Sequence, residues 1–273
     1  SQKISTVSNV LESDDVNSAI SVCKKLGVKI KKIKSKKYNI YGKGLGSLSV
    51  KKNSELNFGN SGTLARLMIG ILSTTPNIEV KIKGDHSLNQ RSMSKLINLM
   101  SSFGAVFLPK NKKTFPLKMI SSEMPIGISY KAGVSAQLKS AVMLAGLNSY
   151  GDTLIEEQIS SRDHTENLLK DNFQLIKIRN GKKKIIKING KKYLNKIDVN
   201  VSGDPSSSAF FTALTLLNQN STLKIKNVGL NPTRIGFYKI LKKQKAKIIF
   251  KNIKRENNEV KGIMTCYLHI RNK

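Results

Sequence analysis

Apolar positions along this chain recur first at helical spacing and then at strand spacing, in an order that repeats. Asn60-Ser-Gly-Thr-Leu-Ala-Arg-Leu-Met-Ile-Gly-Ile-Leu72 reads as an apolar helix opened by small capping residues. Ile78-Glu-Val-Lys-Ile-Lys83 then alternates as a half-buried strand does. A polar loop ends near Arg91, a second helix is predicted over 93–102, and a strand over 106–108. The same order returns as helix 136–147, strand 153–157, helix 164–172 and strand 174–178. It returns again as helix 208–217, strand 222–226, helix 236–244 and strand 246–250. First-helix starts at 61, 135 and 206 lie 74 and 71 residues apart, and the loops before the second helices, at 91, 163 and 235, lie 72 apart. A period of that length marks a structural repeat.

The fold class expected is α/β (α+β), built from helix–strand–helix–strand units with β-rich connectors at 38–50 and 115–120. Residues 1–31 read as the second half of a unit: Leu11-Glu-Ser-Asp-Asp15, a helix over 16–26, then Gly27-Val-Lys-Ile30. A final strand pattern covers 262–270. These half-units lead us to expect a piece of a longer protein, divided into a domain at 1–200 and the first part of a second at 201–273.

Composition narrows the class. With 39% hydrophobic residues and no tryptophan, the chain suits a globular protein. Its longest apolar stretch, near Leu67–Leu72, is soon broken by Ser73-Thr-Thr-Pro76, so no membrane span is expected. Nothing resembles a signal peptide, and Cys23 and Cys266 lack metal-ligand spacing, so the expectation is a cytoplasmic protein with reduced thiols and no bound metal. The net charge of +31 and pI near 10.1 raise nucleic-acid binding as a competing class. Lysines nevertheless spread along most of the chain with few aromatics between them, which favours a solvated surface over a nucleic-acid partner.

Arginine use is more informative. Seven arginines stand against forty-one lysines, and four of the seven sit in polar, small-residue segments: Arg66, Arg91, Arg162 and Arg234. Arginine's planar fork grips carboxylate or phosphate through paired hydrogen bonds, so these segments point to oxyanionic ligands. Gly59-Asn-Ser-Gly-Thr63 resembles a phosphate loop at a helix start, although a tight turn before a buried helix explains it equally well. Gly42-Lys-Gly-Leu-Gly46 misses dinucleotide-binding spacing.

Taken in order, the segments resemble the enolpyruvyl transferase family, and within it the branch acting on 3-phosphoshikimate. The resemblance rests on Ser13-Asp-Asp15, Gly59-Asn-Ser-Gly-Thr-Leu-Ala-Arg-Leu-Met68, Gly84-Asp-His-Ser-Leu-Asn-Gln-Arg91 and Ser135-Ala-Gln-Leu-Lys-Ser-Ala141. It continues through Ser161-Arg-Asp-His-Thr-Glu166, Gly203-Asp-Pro-Ser-Ser-Ser-Ala-Phe-Phe211 and Val228-Gly-Leu-Asn-Pro-Thr-Arg234. Ser92 departs from it, because the family usually has proline there.

The resemblance implies two domains of βαβαββ-type units, an inside-out α/β barrel, with the first nearly complete here. It implies transfer of the carboxyvinyl group of phosphoenolpyruvate to 3-phosphoshikimate by a monomer, with no cofactor. Ser135, Ala136, Gln137, Ser161 and Arg162 match the 3-phosphoshikimate positions, and Gly62, Arg91 and Gln137, flanked by Asn60 and Thr63, match the phosphoenolpyruvate positions. Arg66, Asp14 and Asp15 are expected to order the site, and Arg234 to be structural. The family's Lys-Ser-x-x-x-Arg segment and its acid–base residues match nothing in 1–273, so no catalytic acid or base is assigned and no turnover by this piece alone is expected. The closest alternative is the UDP-N-acetylglucosamine branch, which carries a cysteine in the loop matching 84–91 where this chain has none.

Overall fold

The structure, a computed structural model, describes residues 1–172 and 174–268. The chain forms two compact units: Ser1–Ser161 with Leu169–Val199, and Arg162–Leu168 with the residues from Asn200 onward. The short Arg162–Leu168 stretch, placed by the sequence reading in a domain 1–200, thus groups with the second unit.

The first unit opens with β1 (Ile4–Ser8), α1 (Asp14–Lys25), β2 (Lys29–Lys34) and β3 (Lys37–Tyr41), whose strands pair antiparallel in the order β1-β3-β2. One full repeat follows: β4 (Ser54–Asn57), α2 (Gly62–Ser73), β5 (Glu79–Lys83), α3 (His86–Gln90), α4 (Ser94–Ser102), β6 (Val106–Leu108) and β7 (Leu117–Ile120). The next comprises β8 (Ser129–Ala132), α5 (Ala136–Gly146), β9 (Asp152–Glu157), β10 (Ile176–Arg179) and β11 (Lys184–Asn189), with α6 (His164–Leu169) between β9 and β10 in sequence but grouped, up to Leu168, with the second unit. In each repeat two strands flanking a helix lie parallel, β4 with β5 and β8 with β9, as a helical crossover requires. The other pairings are antiparallel, giving sheets ordered β4-β5-β7-β6 and β10-β11-β9-β8. The βαβαββ unit implied by the resemblance is therefore the one present.

Helices α2 and α5 form the spine of this unit. Ser61 caps α2 by accepting the Leu64 amide at 3.3 Å, and Ser135 caps α5 by accepting that of Leu138 at 3.4 Å. Leu64, Ala65, Met68, Ile69 and Leu72 of α2 are buried with Leu138, Ala141, Val142 and Ala145 of α5 in one core. The helices touch at Gly70, where a Cβ would come within 2.6 Å of the Ala141 carbonyl oxygen. The hydroxyl of Thr74 donates to the Ala145 carbonyl at 3.1 Å near the far end of the same contact.

The second unit repeats the plan after β12 (Val199–Asn200), with α7 (Pro205–Leu217), β13 (Ser221–Gly229), α8 (Gly236–Lys243), β14 (Lys247–Glu256) and β15 (Glu259–Leu268). An isolated parallel bridge between Gly203 and Val228 stands where the preceding repeats have their first parallel strand pair. The sheet runs β13-β15-β14, and Val228, Leu230, Tyr238, Ile248, Met264 and Cys266 form its core. Asn257 and Asn258, both at positive φ (49° and 61°), make the tight turn between β14 and β15. In α7 it is Ser208, Thr212 and Thr215 that are buried, while Phe210, Phe211, Leu214 and Leu217 are exposed.

Most sequence-predicted elements appear within a few residues of their expected limits. Helix α7 begins three residues early because Asp204 caps it ahead of a proline in its first turn. The helix expected over 164–172 stops at Leu169. The connector 38–50 is strand only to Tyr41, since Gly44 and Gly46 take positive φ beyond it. The loop before Arg91 contains α3, capped by Asp85 on the Leu88 amide at 2.8 Å. The strand expected over 262–270 begins at Glu259, and its last two residues lie outside the described residues.

Candidate functional site

The first turn of α2 collects most of the residues singled out from the sequence. Gly59, at φ +56°, turns the chain out of β4 and accepts the Asp85 amide at 2.9 Å, which joins the turn to the loop carrying α3. Asn60 follows, and its Oδ1 accepts a 2.8 Å hydrogen bond from Arg91 Nη2. The same Nη2 lies 3.3 Å from the Ser87 hydroxyl, so Arg91, emerging at the end of α3, is aimed back at the α2 turn. Arg66, one turn into α2, donates from Nη1 to the Gly62 carbonyl at 2.9 Å. Gly62 lies between the two guanidinium groups: a Cβ there would stand 2.7 Å from Arg66 Nη1 and 3.4 Å from Arg91 Nη1.

The electrostatics are one-sided. Burial, and after it the charge of Arg91, lower the Arg66 pKa from its ordinary value. Two like charges are held near each other, and among the described residues neither forms an ion pair with a carboxylate. Of the free amides at the start of α2, Ser61 accepts only that of Leu64, so those of Gly62 and Thr63 have no acceptor among the described residues. Guanidinium forks beside open helix amides suit a phosphate or carboxylate.

The first turn of α5 joins this arrangement. Gln137 Nε2 donates to Thr63 Oγ1 at 2.7 Å, which ties the starts of α5 and α2 together. A cavity of about 650 Å³ opens beside them, lined by Arg66, Lys95, Tyr130, Lys131, Ser135 and Gln137 among others. Asn60, Gly62, Thr63, Arg66, Arg91, Ser135, Ala136 and Gln137 thus share one region of the first unit. Arg66, expected only to order the site, lines its cavity directly.

Ser161 and Arg162 are placed differently. The amide and hydroxyl of Ser161 both donate to Glu157 Oε1, at 3.1 and 2.8 Å. Arg162 is exposed and groups with the second unit. There Asn231 Nδ2 donates to Asp163 and to Glu259, and His164 Nδ1 lies 2.8 Å from Glu259 Oε1. Burial works to raise the Glu259 pKa, yet hydrogen bonds from His164, Asn167 and Asn231 hold it below its ordinary value. Arg234 is a brace: its Nη2 bonds Asp204 Oδ1 at 2.5 Å and Ser206 Oγ at 2.8 Å, fixing the start of α7. Asp14 and Asp15 occupy the first turn of α1, where they complement the helix dipole.

Sequence reasoning passed over Lys139 and Glu157, whose side chains are both fully buried and paired at 2.9 Å. The available signal was a lysine inside the apolar run of α5, a position that demands a buried counter-charge. No helix among the described residues is long and apolar enough to cross a membrane. No group of three or more His, Cys, Asp or Glu among them is placed to hold a metal ion.

Known proteins resemble this chain along nearly all of its length. A 3-phosphoshikimate 1-carboxyvinyltransferase from Leptospira interrogans serovar Lai is 38% identical over 265 residues, covering 96% of this chain and 59% of the relative. One from Zymomonas mobilis is 36% identical over 270 residues, covering 98% and 59%. The solved EPSP synthase of Acinetobacter baumannii superposes with a TM-score of 0.85 at 30% identity, over 98% of this chain and 59% of that one. This chain therefore spans about three-fifths of the length of the relatives it matches. The sequence profile of EPSP synthase (3-phosphoshikimate 1-carboxyvinyltransferase) matches residues 1–271, and the chain belongs to that family.

Proposed function

We propose that this chain serves the transfer of the carboxyvinyl group of phosphoenolpyruvate to the 5-hydroxyl of 3-phosphoshikimate, on the route to aromatic amino acids. The observation that carries this reading is the pair of guanidinium groups, Arg66 and Arg91, facing Gly62 at the open start of α2 with no carboxylate partner among the described residues. Both substrates are anions, so their mutual repulsion must be neutralised before carbon and oxygen can approach. In this reading Gly62 and Arg91, with Asn60 and Thr63, take phosphoenolpyruvate. Ser135, Ala136, Gln137, Ser161 and Arg162 hold 3-phosphoshikimate, and Gln137, bonded to Thr63, stands between the two sets.

Protonation of the methylene carbon and attack of the 5-hydroxyl, with loss of the hydroxyl proton, give a tetrahedral adduct bearing a methyl group, which returns the carboxyvinyl ether by losing inorganic phosphate and one proton from that methyl group. We assign this chain's residues to binding, orientation and charge neutralisation in that sequence. The same reading takes the protein as a cytoplasmic monomer with small-molecule partners. The test is calorimetric titration of the purified chain with 3-phosphoshikimate, then with phosphoenolpyruvate in its presence. Saturable binding of both is expected, with UDP-N-acetylglucosamine inert. A chain that binds neither substrate at millimolar concentration, or that binds the UDP-sugar instead, overturns the proposal.

A further inference from the structure

We infer that Glu157 is a positioning residue for the 3-phosphoshikimate side of the site, and that buried Lys139 is the counter-ion that lets it act. The inference rests on the functional reading above and adds two residues to it. Glu157 ends β9 with a fully buried side chain. Its Oε1 accepts from three donors: Lys139 Nζ at 2.9 Å, the Ser161 amide at 3.1 Å and the Ser161 hydroxyl at 2.8 Å. Its Oε2 lies 3.2 Å from Lys184 Nζ on the adjacent strand β11. One carboxylate therefore joins α5, β11 and the loop leaving β9.

Those three elements matter for different reasons. Lys139 lies two residues beyond Gln137 on α5, so its bond to Glu157 fixes the height of that helix start against β9. Ser161 is the first-unit residue placed at the phosphate of 3-phosphoshikimate, and Glu157 takes both of its donors. The hydroxyl oxygen is thereby oriented with its lone pairs outward, and the backbone at 161 is held in one conformation. Burial alone works to raise the Glu157 pKa, but the bonds from Lys139 and Ser161 outweigh it and hold the group below its ordinary value, hence ionised. Burying ions is costly, and a hydrophobic pair of similar volume would stabilise the fold at least as well. What an apolar pair would not supply is an acceptor for Ser161.

The test compares two double variants in the full chain. K139M/E157L removes both charges and leaves Ser161 without an acceptor. K139M/E157Q removes both charges but keeps an amide oxygen for Ser161. Both should fold, as judged by thermal unfolding, because the fully buried charge of Lys139 is removed together with that of Glu157, while Lys184, whose side chain is 16% exposed, keeps contact with solvent. K139M/E157Q should bind 3-phosphoshikimate within about threefold of wild type, whereas K139M/E157L should lose about tenfold or more, with faster amide hydrogen exchange at Ser161. Equal affinities for the two variants would overturn the inference, because a merely structural pair would not distinguish Gln from Leu. If K139M/E157L does not fold, K139M/E157M, closer to glutamine in shape but without an acceptor for Ser161, takes its place: a loss of about tenfold relative to K139M/E157Q supports the inference and equal affinity overturns it. A wild-type chain that fails to bind 3-phosphoshikimate sinks the functional reading and this one with it. Wild-type binding that K139M/E157L retains sinks this one alone.

Discussion

Replacing Gly70 by alanine tests whether the α2–α5 contact sets the spacing of the site. A methyl group at this position would sit 2.6 Å from the Ala141 carbonyl oxygen, 2.9 Å from its Cα and 3.0 Å from its carbonyl carbon. All three obstacles belong to the backbone of the facing helix, so no side chain can swing away. The helices must part by about 0.8 Å to restore ordinary contact at that oxygen. Overpacking of this kind costs roughly 1–3 kcal/mol, and backbone obstacles place it near the top of that range. Alanine's better helix propensity returns about 1 kcal/mol, leaving a net loss of about 2 kcal/mol. Urea unfolding followed by far-ultraviolet circular dichroism should show the midpoint lowered by roughly 0.5–1 M. Gly133→Ala is the control, because a Cβ there meets nothing within 4 Å. The same separation would stretch the 2.7 Å bond between Gln137 and Thr63 past hydrogen-bonding range, so substrate affinity should fall together with stability. A G70A chain as stable as wild type would refute the argument, since the helices would then have to sit farther apart than described.

Two further outcomes follow from the same geometry. Arg91→Lys keeps the charge but loses the fork that holds Asn60 Oδ1 at 2.8 Å. Phosphoenolpyruvate affinity, read by calorimetry in the presence of 3-phosphoshikimate, should drop about 10- to 100-fold with little change in melting temperature, and unaltered binding would show that charge alone suffices. Glu12 is held at a pKa of about 2 by hydrogen bonds from Lys32 and Tyr38. Its folded value is below the ordinary 4.5, so its stabilisation is complete above that value and is lost as pH falls toward 2. The stability difference between wild type and E12Q, measured by denaturation across that window, should therefore shrink on acidification, and a difference that grows would contradict the assignment.

Much of the fold is legible locally because repeats of this kind carry their signals in short windows. Ser61 and Ser135 announce helix starts by residue type, and the alternation of Val80 and Ile82 exposes a strand. Strands β4 (Ser-Glu-Leu-Asn) and β8 (Ser-Tyr-Lys-Ala) leave no such trace. Four residues hold too little periodicity, and these are strands because β5 and β9 pair with them across a helix. The sequence shows the helix of α7 but not its orientation: Phe210, Phe211, Leu214 and Leu217 are exposed, and its buried face carries Ser208, Thr212 and Thr215. Their hydroxyls bond within the molecule, Ser208 to the Pro205 carbonyl and Thr212 and Thr215 each to the carbonyl one turn back, so burying them leaves no polar group unsatisfied.

For the site the division is similar. By itself the sequence determined the repeat, the helix caps and the sparing use of arginine in small-residue segments, because each depends on residues within about one turn or one loop. Only the tertiary structure decided that Arg66 and Arg91 flank Gly62, and that Gln137 reaches Thr63 across 74 residues of chain. It also decided that a lysine buried in α5 is balanced by a glutamate ending β9. The physical reason is that a charge is tolerated in the interior, or left unpaired at a site, according to what lies within a few ångströms of it, and those neighbours come from distant parts of the chain.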